Sequence, residues 1–487
     1  MLDNSRILKS ALILSLGRIM ARILGLLSTF IVARLLAPED YGVIAVCMIM
    51  QGLGTQLQNI GFSQNIISKK NPSKDFLDAV YLFRLLVSIS FAFAIYALAG
   101  SFALYMNSVE VESVLAVTCW MLVFAALNNL NITLEAKNNN FVPEMIVLIL
   151  SKLLTVIFTL GMAYYLRNYW ALALGMLFQS MLQAVLSYLV IKPYRPEYLN
   201  FKMLVGVFHF GKWIVLQRML DFGNAKAGDF IIARFFDSKM LGFYTLSSSV
   251  CFMIYQEVSA AVDRANFSFI SEKVHQTVDK VSLGELMERN VSYIYHIKNL
   301  FLIPSYTVLF FYSNFFVEVL FGSQWTEMAG LFELFCVIGL VRGYNSTYIS
   351  LFHSIRKPEL NFYAMFIRLL LLIPFIFITI NLSDVHYLLY GDIFAVLVVY
   401  AYYVILFRKV LLASAFQSTL ILIVQVAKCS FIISLLSLLE FPVIGELAFV
   451  VATLIALILI EAKVFQIKPH LEILEKVVSP LVKFKKN

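Results

Sequence analysis

Apolar runs of membrane-spanning length recur along the whole chain, separated by short polar breaks. They fall at about 10–36, 43–66, 80–100, 113–134, 142–166, 170–191, 207–236, 242–262, 297–321, 329–352, 360–381, 386–407, 418–439 and 441–462. Each can cross a bilayer core as one helix. The pattern predicts an all-α polytopic membrane protein with 14 transmembrane helices. The longest polar break, about 263–296, sets Glu272, Lys273, Asp279, Lys280, Glu285, Glu288 and Arg289 between apolar residues, which predicts an amphipathic interfacial helix. The first apolar segment is too long for a cleaved signal peptide and carries Arg18 and Arg22, so it reads as a retained first helix.

Charge sorts these runs by membrane side. With the N-terminus inside and the spans alternating, nearly all of the basic residues outside the spans gather on the cytoplasmic face. The external breaks hold Arg167 and Lys239. This asymmetry predicts a multi-pass protein with both termini cytoplasmic. The net charge of +8, and the basic tail from Lys463 to Asn487, then express topology and contact with anionic lipid. Composition agrees: 61% of residues are hydrophobic and 14% charged, against about 25% charged in soluble domains. A soluble enzyme, a disordered chain and a fibrous one are excluded. The cysteines Cys47, Cys119, Cys251, Cys336 and Cys429 all lie in apolar runs, as small core side chains do, and form neither a disulfide framework nor a zinc site. There is no phosphate loop, HExxH or GxSxG motif, and the histidines are scattered. No cofactor or metal is expected, and transport would run on an ion gradient, the membrane potential or the substrate gradient.

The chain also repeats itself. A shift of 200 positions lays Phe30-Ile31-Val32-Ala33-Arg34 on Phe230-Ile231-Ile232-Ala233-Arg234, Arg18 on Arg218 and Gly42 on Gly242. Six spans separate the two copies, so both halves point the same way in the membrane. Such a parallel repeat places a site near the midplane between two lobes. The expected domains are 1–200 with spans 1–6, 201–410 with spans 7–12, and 411–487 with two added spans and the tail.

A charge at the bilayer centre costs about 2.5–3.5 kcal/mol on insertion scales, so each one inside a span needs a reason. Span 1 holds Arg18 and Arg22, four apart and on one face. Span 7 carries Arg218, Asp221, Asn224, Lys226 and Asp229. Few lipid-facing helices could hold that run, so it faces a neighbour or a water-filled cavity. Arg218 and Asp229 share a face about 16 Å apart along the helix. Asp221 and Asp229 either neutralise Arg218 and Lys226 in the packing or, with Lys226, serve ion coupling or gating. Lys152, Arg342, Lys428 and Asp392 are further cavity candidates. Arg34 and Arg234 at outer helix ends, and Arg84 and Arg368 toward inner ends, read as snorkelling residues. Gln51, Thr55, Gln58 and Asn59 form a polar stripe on span 2, extended by Asn128, Asn129 and Asn131 in span 4. Amides both donate and accept, which suits sugar hydroxyls, and equally suits hydrogen bonds between helices.

Arg22-Ile23-Leu24-Gly25, Ile31-Val32-Ala33-Arg34-Leu35-Leu36-Ala37-Pro38 and Asp40-Tyr41-Gly42 resemble the first helix and following turn of Wzx-type polysaccharide flippases, of the multidrug/oligosaccharidyl-lipid/polysaccharide exporter superfamily. Asp229 to Arg234 with Leu241-Gly242-Phe243-Tyr244, and Leu320-Phe321-Gly322 followed by Trp325, are similar to that family's second lobe. The resemblance implies two six-helix lobes forming a V around a cavity, two extra C-terminal helices, and alternating access. It implies a polyprenyl-pyrophosphate-linked oligosaccharide as substrate, moved to the outer leaflet for surface polysaccharide, with the pyrophosphate held by basic residues. Arg22 matches the first-helix arginine of the related lipid II flippases, whereas Ser28-Thr29 replace a further Arg-Asp pair found there, and Asn59 stands where an acid is common. Arg18, Arg22, Arg218, Lys152, Gln51, Gln58, Asn59 and Asn224 are the candidate substrate-binding residues. H+ or Na+ coupling, and a glycan polymerase with glycosyltransferases as partners, complete the expectation. A drug/cation antiporter of the same superfamily is the alternative, with a membrane glycan polymerase or ligase behind it. The first lobe is poor in acids and the external loops are short, which ranks both lower.

Overall fold

The computed structural model describes residues 4–58, 73–138, 140–197, 201–276, 280–355 and 357–411. These are helical throughout and contain no strand. In chain order the helices are α1 (Asn4–Leu35), α2 (Pro38–Gln58), α3 (Lys74–Tyr105), α4 (Glu110–Thr118), α5 (Trp120–Ala126), α6 (Asn131–Lys137), α7 (Val142–Leu166), α8 (Trp170–Val190), α9 (Phe201–Phe235), α10 (Ser238–Gln276), α11 (Lys280–Phe311), α12 (Ser313–Phe321), α13 (Ala329–Ser354), α14 (Glu359–Leu382) and α15 (His386–Leu411). A short 3₁₀ turn, Ser323–Met328, precedes α13. Among the described residues, six helices are long and apolar enough to cross a membrane, or up to eight if each of two bent pairs is one span. The expected spans 13 and 14, with Lys428, lie outside the described residues.

Chain contacts gather into two units. One holds Met1–Leu246, Val317–Met328 and Ile380–Val385; the other holds Ser247–Phe316, Ala329–Thr379 and the chain from His386. The helix expected to open the second sequence half, α9, thus belongs to the first unit.

In the first unit, α7 and α8 form a hairpin. The buried face of α7 is Ser151, Thr155, Thr159 and Ala163 at four-residue spacing, and α8 answers with Ala171, Ala173 and Gly175. Small side chains let the two backbones approach closely where no hydrophobic drive between helices exists. The turn between them reverses at Arg167, whose φ of 50° is left-handed and whose N–H caps Ala163 O. α1 lies along α7.

The fourth expected span is broken into α4, α5 and α6, with a 49° bend before α6. The break frees carbonyls, and a cation from another helix takes them. Arg84 of α3 donates to Ala126 O and to Asn128 O, each at 2.6 Å. Arg84 therefore spends its guanidinium inside the protein, not at the interface. Asn129 is equally committed: its amide donates to Ser187 O, Ile191 O and Lys192 O, and its Oδ1 accepts from Tyr194 N. Buried Asp78 accepts from the Tyr194 hydroxyl and from Glu197 N. Burial pushes the Tyr194 phenol well above its ordinary value, so it stays a neutral donor. Asn129 and Asp78 thus fasten segment 191–197, which leads from α8 toward α9. Asn129→Ala strands the buried Ser187 carbonyl, at about 1–3 kcal/mol, and frees the part-buried ones of Ile191 and Lys192, so purified protein is expected to melt earlier and to be cut faster by protease in this segment.

The second unit packs α11 and α15 against α13 around Tyr295, Tyr344, Tyr348, Leu351, Phe352, Tyr403 and Phe407, all essentially inaccessible. Tyr348 and Tyr403 stack with centroids 5.8 Å apart. Where an interfacial helix was expected over 263–296, α10 instead runs on to Gln276 and α11 starts at Lys280. α11 and α12 meet at an 86° bend.

Candidate functional site

Two helices of spanning length carry several charges each: α1, with Arg18, Arg22 and Arg34, and α9, with Arg218, Asp221, Lys226, Asp229 and Arg234. They are the first helix of each half in the 200-residue shift. A charged helix at membrane depth faces protein or water, so these two, with α2 packed beside α9, carry the candidate site.

On α1, Arg18 and Arg22 stand on an uncovered face with Ile19, Met20 and Ile23. Arg18 reaches Glu144 of α7 at 3.4 Å, with both side chains well exposed, a weak pair. A Cβ built on Gly25 would stand 3.1 Å from Cε and 3.4 Å from Nζ of Lys152. The Lys152 ammonium therefore lies against α1 one turn beyond Arg22. Arg18, Arg22 and Lys152 thus stand within two turns along α1, with Glu144 beside Arg18.

On α9, Arg218 and Asp221 are half-buried and Asn224 is buried. Lys226 and Asp229 pair with each other one turn apart, Asp229 being buried. This is the neutralising arrangement for Lys226 and Asp229. On α2, Gln51 is buried, and its Nε2 has no partner among the described residues. Gln58 is turned into the unit: its Nε2 donates to Ser88 Oγ and to Leu122 O at 2.5 Å each, so this amide is not available to a sugar. Asn59 lies outside the described residues.

Away from these side chains, the first turns of α2 and α10 meet. A Cβ on Gly42 would stand 1.8 Å from Ser238 O, and a Cβ on Gly242 2.0 Å from Pro38 O. Ser238 is Pro38 shifted by 200, so α2 and α10 cross through one contact made twice. The turn Gly322–Met328 seals the crossing. Trp325, fully buried, donates Nε1 to Ala33 O at 2.8 Å, and Gln324 donates to Ala33 O and Leu36 O at 2.6 and 2.8 Å. Carbonyls at a helix C-terminus lack partners within their own helix, and here a distant turn supplies them. Exposed Arg34 donates to Val319 O. Tyr41 and Phe243 pack edge-on against the Trp325 ring, and Lys239 pairs with Glu327. The Gly42 and Gly242 repeat and the Leu320-Phe321-Gly322 and Trp325 motif are the sequence signals that fall at this place.

The second unit holds charges of its own. Asp392 of α15 takes Arg342 of α13 at 2.8 Å and Arg368 of α14 at 2.7 Å. Arg342 also lies over the Phe252 ring, 4.3 Å from its centroid. Arg368 is therefore paired inside the unit, not snorkelling. Lys298 of α11 is fully buried beside Asp263. No group of three or more metal-ligating side chains occurs among the described residues.

Comparison with known proteins now has a structure to meet. The lipopolysaccharide biosynthesis protein WzxC of Escherichia coli (strain K12) is 22% identical over 73% of this chain and 71% of its own length. The succinoglycan biosynthesis transport protein ExoT of Rhizobium meliloti (strain 1021) is 19% identical over 61% of this chain and 58% of its own. Among solved structures, the lipid II flippase MurJ in an inward closed conformation superposes with a TM-score of 0.74 at 14% identity, covering 93% of this chain and 99% of that one. A multidrug resistance MATE family transporter of the MOP superfamily, inward-facing, gives 0.59 at 13% identity, covering 80% and 95%. The fold is thus that of the MurJ and MATE transporters. The family described as polysaccharide biosynthesis protein matches residues 31–330, which include Gly42, Gly242 and the Trp325 turn. The chain belongs to that family, and the Wzx-type resemblance of its α1, α10 and Trp325 motifs is borne out.

Proposed function

We propose that this protein flips a polyprenyl-pyrophosphate-linked oligosaccharide from the inner to the outer leaflet of the bacterial cytoplasmic membrane, for surface polysaccharide such as O-antigen, capsule or exopolysaccharide. The observation that carries this reading is the polar first helix of each half, with Arg18, Arg22 and Lys152 within two turns along α1 and Arg218 on α9. Guanidinium groups bind pyrophosphate through bidentate, charge-assisted hydrogen bonds, which strengthen where water is excluded. Gln51, buried with an unpartnered amide, suits the glycan. The names of the relatives support a saccharide substrate, and the MurJ fold supports a lipid-linked one.

On the proposed fourteen-span topology, with both termini cytoplasmic, the crossing of α2 and α10 lies on the outer side. Alternating access then requires that crossing to part. The paired Lys226 and Asp229 are candidates for a gate that re-pairs during the cycle, with H+ or Na+ as the coupling ion. A glycan polymerase and glycosyltransferases are the proposed partners. The MATE likeness supports a second reading, a drug/cation antiporter, but the α1 face exposes arginines where a cation site would need acids.

A charge-assisted hydrogen bond contributes about 1.5–3 kcal/mol, so Arg22→Ala and Arg218→Ala are each expected to lower surface-glycan export about tenfold or more at unchanged protein level. Normal export by both variants would sink the assignment. Reconstitution with a labelled lipid-linked glycan tests transport directly.

A further inference from the structure

Lys298 is fully buried, and four oxygens converge on its ammonium. Nζ lies 2.8 Å from each of Gly343 O, Ser346 Oγ and Thr347 Oγ1 of α13, and 2.9 Å from Asp263 Oδ1 of α10. An ammonium has three N–H donors. The Gly343, Ser346 and Thr347 oxygens take those three donors, and Asp263 Oδ1 adds a fourth oxygen at nearly the same radius, so the charge is surrounded as a spherical cation would be. The composition also fits: one carboxylate, one backbone carbonyl and two hydroxyls, the kind of oxygens that replace the water shell of a dehydrated alkali ion. The carboxylate supplies the countercharge that a buried cation needs.

We propose that these oxygens form a monovalent-cation site that the chain fills with its own Lys298, and that a chain without this ammonium takes up a dissolved cation there. Oxygens at this radius suit K+ or NH4+ as they stand, whereas Na+ would need the shell to contract. The tethered charge makes the packing of α10, α11 and α13 independent of the ions in solution. This goes beyond the flippase reading, because the site is a property of the second unit whatever the cargo.

The test compares purified wild type, Lys298→Ala and Lys298→Met, with Asp263→Asn added to Lys298→Ala, by thermal unfolding in KCl, NaCl or choline chloride at equal ionic strength. The wild type is expected to melt alike in all three. Lys298→Ala and Lys298→Met are expected to melt earlier in choline and to recover most of the deficit in KCl, less in NaCl. The added Asp263→Asn is expected to remove the recovery. Equal melting of the lysine variants in KCl and choline overturns the proposal, as does recovery by Na+ alone. So does failure to recover either lysine variant from membranes kept in KCl, since K+ should stand in for the lost ammonium. None of these readings depends on glycan transport.

Discussion

Replacing Asp392 by alanine is expected to cost the second unit about 3–5 kcal/mol, and the loss is expected to be repaired only when both arginines are replaced with it. Asp392 is the acid between Arg342 and Arg368, and all three side chains are largely buried, at 7%, 18% and 15% exposure. Without it two guanidiniums remain in a place of low dielectric after losing their carboxylate. Asp392→Asn keeps the shape, removes the charge and is expected to cost nearly as much. Exchanging the whole triad for well-packed apolar residues is a different matter, because the desolvation of three ions disappears with the ions. Arg342→Met, Arg368→Met and Asp392→Leu together are expected to melt near the wild type. Melting of purified protein orders the variants, and a single Asp392→Ala as stable as the wild type would sink the account. Export by the triple variant then reads function separately from folding. The triad carries one positive charge in excess, so loss of export by a stable triple variant would place that charge in the transport path.

The long helices of this fold are legible in the sequence because their ends are set locally. The run 142–166 is α7, bound by Asn and Pro at one end and Arg167 at the other, and the runs at 170–191 and 360–381 fall within a residue of α8 and α14. What was not legible depends on partners far along the chain. The 113–134 run reads as one span, and its break becomes stable only because Arg84, about forty residues earlier in sequence, donates to the freed carbonyls. Arg84 and Arg368 look like snorkelling residues by depth alone, since depth does not reveal a carbonyl or a carboxylate on another helix. In the candidate site, the cationic face of Arg18 and Arg22 follows from helical spacing, and so does the pairing of Lys226 with Asp229. Gln58 could not be placed this way, because an amide that suits a sugar suits Ser88 and Leu122 O equally well. Trp325 was visible as a motif without a task. The oxygen shell around Lys298 had no signal at all, because one of its donors is a backbone carbonyl.

Alanine at Gly42 or Gly242 is expected to stop export while the protein still folds and inserts. In an open helix a glycine-to-alanine change gains about 1 kcal/mol of helix propensity. Here the sign reverses, because the new Cβ would stand 1.8 Å from Ser238 O in one case and 2.0 Å from Pro38 O in the other. Both obstacles are backbone atoms, so no side chain can swing aside and the ends of α2 and α10 must separate. Gly223 of α9 supplies the control, since a Cβ there meets nothing within 4 Å and alanine should be silent. Trp325 loads the same join from the other side. Trp325→Phe gives up one hydrogen bond to Ala33 O, about 0.5–1.5 kcal/mol, whereas Trp325→Ala leaves a cavity worth about 3–5 kcal/mol. A protein that flips by alternating access needs this join to close and open in turn, so loosening it biases the cycle toward one state. A cysteine placed at Ser238 should react faster with a membrane-impermeant maleimide in Gly42→Ala and Trp325→Ala than in the parent or in Gly223→Ala. Trp325→Phe should fall between. Unchanged reactivity together with unchanged export in Gly42→Ala would mean that the crossing of α2 and α10 is packing alone and not a gate.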